Sequence, residues 1–62
     1  MSNTAELLKS WVAAVHAHRE MKISALRLIQ IKQIIQGELL SKDMTSRDIR
    51  RLMNSALDAV AA

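Results

Sequence analysis

Between Ile23 and Leu40 the chain runs ISALRLIQIKQIIQGELL, and half of those residues are Ile or Leu. Placed on a helix at about 100° per residue, Leu28, Ile31, Ile35 and Leu39 line up at 3-4-4 spacing as one apolar stripe. Leu26, Ile29 and Leu40 form a second patch about 120° further round, and Ile23 and Ile34 fall on a third line. Arg27, Gln30, Lys32, Gln33 and Gln36 are slotted between these patches rather than gathered on one wet face. A helix that is apolar on several sides has to bury several sides, and one neighbour covers only one stripe. The segment is therefore expected to pack against at least two helices. A strand is the competing assignment, because Ile favours sheets, but no second strand segment exists to pair with it.

Upstream, Leu7, Leu8, Trp11, Val12, Ala14 and Val15 share one arc of a helix expected over about 4–19, with Glu6, Lys9, Ser10, Ala13 and His16 opposite. Asn3 followed three residues later by Glu6 is a capping-box start. The segment His18–Lys22 contains neither Gly nor Pro, yet the apolar phase jumps by more than half a turn between Val15 and Met21. We read it as the turn of a helical hairpin, with Ser24 capping the second helix. A single long helix that changes partner is the alternative. The second helix is expected over about 23–40, running through Gly37 because the apolar phase continues at Leu39 and Leu40. Downstream, Thr45 and Asp48 repeat the capping pattern. Ile49, Leu52, Met53, Ala56, Leu57 and Val60 then form the apolar stripe of a third helix over about 45–61.

Composition supports helices throughout. Among 62 residues there is one Gly (Gly37), no Pro, no Cys and a single aromatic, Trp11. The expectation is one all-α domain, a helical hairpin plus a C-terminal helix, spanning residues 1–62. Size changes the picture more than composition does. A chain of 6.9 kDa exposes roughly 10,000 Å² unfolded and buries about 60% of it on folding alone. Apolar burial then contributes on the order of 90 kcal/mol, against on the order of 93 kcal/mol to order the chain. With nothing left over, and no disulfide to help, the fold is expected to be completed by forming a homodimer or higher oligomer. Trp11, Leu26, Leu28, Ile29, Ile31, Ile34, Ile35 and Leu39 are the expected core and oligomer interface.

The chemistry-bearing residues are few. His16 and His18, two apart, point about 200° from each other on a helix and cannot share a metal ion. His16 with Glu20 offers two ligands where a structural zinc site takes four, so no metal or other cofactor is expected. No Cys or Tyr is present, and no Ser–His–carboxylate spacing. One glycine cannot build a phosphate-binding loop. An enzyme is therefore not expected. The basic residues of the third helix are the best candidate contacts: Arg47, Arg50 and Arg51, with Asn54 beyond them, in a chain of net charge +3. Such arginines suit either a protein partner or the phosphates of nucleic acid. A helix-turn-helix fits poorly, since its turn is three or four residues and often holds Gly, whereas Gly37 lies eight residues before Thr45. No apolar run approaches the ~20 residues of a membrane span, and no basic-plus-apolar leader opens the chain. We therefore expect a non-catalytic cytoplasmic regulator, adaptor or inhibitor that binds protein through a helical surface. A small DNA-binding regulator is the alternative.

Overall fold

A computed structural model describes residues 3–61. It consists of α1 (Thr4–Arg19), α2 (Ala25–Leu40) and α3 (Ser46–Ala61), each of 16 residues and hence about 24 Å long. No strand occurs among the described residues. All three helices start where a cap was expected. The Asn3 Oδ1 accepts from the Glu6 backbone N–H at 2.8 Å, Ser24 Oγ from Arg27 N–H at 3.1 Å, and Thr45 Oγ1 from Asp48 N–H at 3.2 Å. The second and third helices begin one or two residues later than expected because the cap itself keeps an extended backbone, as at Ser24 (ψ 162°).

The hairpin is formed, and its turn stops α1 without Gly or Pro. Lys22 N–H donates to Ala17 C=O at 2.8 Å and Met21 N–H to His18 C=O at 3.0 Å. That pair of bonds is a Schellman motif, and it requires a left-handed residue at its centre. Met21 takes that conformation, with φ 61°. At the other end, α2 passes through Gly37 without interruption and closes with two tight turns, Lys42 N–H to Leu39 C=O and Asp43 N–H to Leu40 C=O. Asp43 (φ 63°) supplies the reversal there. Aspartate enters this region more readily than most residues.

The core consists of Leu7, Trp11, Ala14, Val15, Ile35, Leu39, Ile49 and Met53. Leu8, Leu28, Ile31, Met44 and Leu57 are partly buried against it. Four of the eight come from α1, the helix around which the other two gather. α2 touches both neighbours, and its buried and half-buried apolar side chains are those of the Leu28–Ile31–Ile35–Leu39 stripe. Leu26, Ile29 and Ile34, expected in a core or an interface, are not in the core: they are 66%, 50% and 60% exposed. Leu40 is half exposed as well, and Val60 drops out of the α3 stripe in the same way.

Candidate interaction surface

The exposed residues of α2 gather on one side. From Ile29 round to Ile34 is an arc of about 140°, and Leu26, Gln30, Gln33, Gly37 and Leu40 fall inside it. All of these are solvent-exposed. A single exposed Leu is ordinary, but four large aliphatic side chains together on one helix face are the mark of an interaction site. The whole chain exposes 4641 Å², about 600 Å² more than the ~4,000 Å² usual for a folded monomer of this mass. Gly37 has no reason to be glycine within the protomer. It is helical, and a Cβ built on it meets nothing within 4 Å. Among the described residues nothing approaches Gly37 closely enough to demand a missing side chain.

The basic side of α3 is equally open. Arg47, Arg50, Arg51 and Asn54 are all exposed and share an arc of about 100°. Asp58 lies on the same arc, yet none of the three arginines forms an ion pair with another described residue. The one ion pair among the described residues joins Lys22 Nζ to Glu20 Oε2 at 3.3 Å on the surface of the α1–α2 turn.

Between α2 and α3 runs a groove that the sequence alone did not disclose. Trp11, Lys32, Gln36, Arg50, Met53 and Asn54 line about 130 Å³ of it, and Gln36, Leu40, Ser46, Ile49 and Arg50 line a further 220 Å³. Gln36 and Arg50 belong to both parts. The walls combine two cations and two amides with the apolar surfaces of Met53 and Ile49. Trp11 Nε1 is buried and has no hydrogen-bond partner, an unusual state for an indole N–H. A groove of this make-up matches a segment carrying carboxylates beside apolar side chains. The signal for it in the sequence was the i, i+4 pair Lys32 and Gln36, which borders the Ile29–Leu40 edge of the exposed apolar arc. A second, apolar groove of about 290 Å³ lies between α1 and α3, lined by Ala5, Leu8, Lys9, Val12, Ala56 and Val60.

Of the residues expected to make contacts, the structure brings Arg50 and Asn54 together at the α2–α3 groove, while Arg47 and Arg51 stand beside it on the open face of α3. His16 is exposed and His18 half-buried near the α1–α2 turn. Among the described residues no three His, Asp or Glu side chains are grouped to hold a metal ion. No described helix is long and apolar enough to cross a membrane.

Fold and surface together define a three-helix, all-α protein with one uncovered apolar helix face and one uncovered basic face. Compared with known protein families, characterised proteins and solved structures, the chain matches none.

Proposed function

We propose that this is a non-catalytic, cytoplasmic binding protein that assembles as a homodimer and regulates or inhibits a protein partner through its helical surface. What carries the proposal is the apolar face of α2, where Leu26, Ile29, Ile34 and Leu40 stand half or more exposed. A folded chain this small gains most from covering such a face with another chain. The partner side is α3 and its groove. Arginines that pair with no acid among the described residues are available to an acidic partner, and arginine beside apolar surface is a common anchor of protein interfaces.

The test is capture of partners from lysate on the immobilised protein, with and without nuclease, beside a variant with Arg47, Arg50 and Arg51 all replaced by Ala. The expected result is a protein that survives nuclease and is lost with the variant. Capture abolished by nuclease would instead support the second reading, DNA binding. That reading draws on the same unpaired arginines in the first turns of α3, where side chains reach phosphates and groove edges. It requires affinity to fall by about 0.9 log units per log unit of salt for each phosphate neutralised. We expect no gel shift on duplex DNA at micromolar protein in about 100 mM salt, conditions under which a nucleic-acid binder with several phosphate contacts still binds.

A further inference from the structure

We propose that the homodimer is antiparallel, formed by α2 against α2 of a second copy, with the two-fold axis passing beside Gln33. The inference rests on the homodimer proposed above and assigns its geometry. In a two-fold interface every contact i–j is repeated as j–i, so the face must be complementary to itself. The exposed arc of α2 meets that requirement about Gln33. Leu26 and Leu40 lie seven residues to either side and face each other across the axis. Ile29 and Gly37 lie four to either side, so a large side chain stands opposite an absent one.

That last pairing gives Gly37 a purpose the protomer does not provide. Glycine in a helix interior is less favourable than alanine, and within this chain a Cβ at Gly37 has open space. Opposite Ile29 of the other copy, the missing side chain makes room for the isoleucine and lets the two helices approach closely. Gln33, on the axis, must meet itself. An amide can do so because it carries both donor and acceptor, whereas Lys or Glu would set like charges together. A polar residue in such a seam also specifies register.

A parallel dimer would instead set Ile29 level with Ile29 and Gly37 level with Gly37, crowding one layer and leaving the other empty. The area is also sufficient. Each half-exposed Leu or Ile offers on the order of 100 Å². Four of them, with the exposed Gln30 and Gln33, reach the roughly 500 Å² per copy that a specific interface requires.

Because the chain has no cysteine, engineered thiols report the geometry directly. Under mild oxidation Gln33→Cys should give a covalent dimer, and so should a mixture of Leu26→Cys with Leu40→Cys chains. Leu26→Cys alone should not, since its two copies lie about 20 Å apart, 14 residues of helix rise, far beyond disulfide reach. Gly37→Leu should weaken dimerisation at least tenfold with helicity unchanged. Self-linking of Leu26→Cys, or tighter association of Gly37→Leu, would overturn the antiparallel register while leaving a dimer. Sedimentation at twice the chain mass without any of these cross-links would place the dimer on another face, overturning this inference alone. A wild-type monomer would overturn both this inference and the homodimer beneath it.

Discussion

Met21 is the position where backbone and side chain disagree most, and replacing it with glycine should stabilise the protein. Its φ of 61° costs an L-residue roughly 1–2 kcal/mol, because Cβ crowds the following carbonyl oxygen. Its side chain is 93% exposed, so Met21→Gly gives up almost no packing. The two motif bonds, from Lys22 to Ala17 and from Met21 to His18, are backbone bonds and survive the change. Glycine adds freedom to the unfolded chain, which offsets about 0.4–1 kcal/mol. The net gain is about 0.5–1 kcal/mol, and in a domain this small 1 kcal/mol moves Tm by about 4–8 °C. Thermal unfolding followed by circular dichroism, at one fixed protein concentration, measures it. Met21→Ala is the control: it keeps the same strain and should leave Tm nearly unchanged. A lower Tm for Met21→Gly would refute the argument, since it would mean that the methionine side chain contributes more than its backbone conformation costs.

Other perturbations follow from burial and capping. Leu39 is completely buried, so Leu39→Ala should cost about 2–5 kcal/mol, enough to populate the unfolded state in urea titrations without added denaturant. Ile35→Asp would strand a charge in the core beside Trp11 and Met53 and should abolish the helical circular dichroism signal altogether. Thr45→Ala removes the acceptor for Asp48 N–H and should cost about 1 kcal/mol, read as a lower urea midpoint at unchanged slope. Replacing Arg47, Arg50 and Arg51 by Ala should keep the helical signal intact, because all three are exposed and Ala is the best helix former.

Local chemistry carried most of the fold. Asn3, Ser24 and Thr45 each announced a helix start by residue type, and the backbone uses all three hydrogen bonds. The Leu28–Ile31–Ile35–Leu39 stripe announced itself by period. The α1–α2 turn was legible only as a change of apolar phase, because the left-handed residue that makes it is a methionine, and nothing in a methionine signals φ above zero. The choice of which α2 stripe faces inward depends on where α1 and α3 sit, which no single-helix pattern contains. That is why Leu26, Ile29 and Ile34 carried the same expectation as Leu28 and Ile35 and then turned out exposed. The basic face was visible as Arg47, Arg50 and Arg51. The groove next to it was not, because it joins Lys32 and Gln36 to residues of α3 across the tertiary fold.

The central claim is that α2 carries a face meant for another chain, and the native mass of the protein tests it most directly. Sedimentation equilibrium at micromolar concentration should return at least twice 6.9 kDa for the wild type. Leu26→Glu combined with Ile34→Glu, two exposed positions that do not belong to the core, should shift that mass toward a single chain. A wild type that sediments as a stable 6.9 kDa monomer, with a mass indifferent to both substitutions, would contradict it.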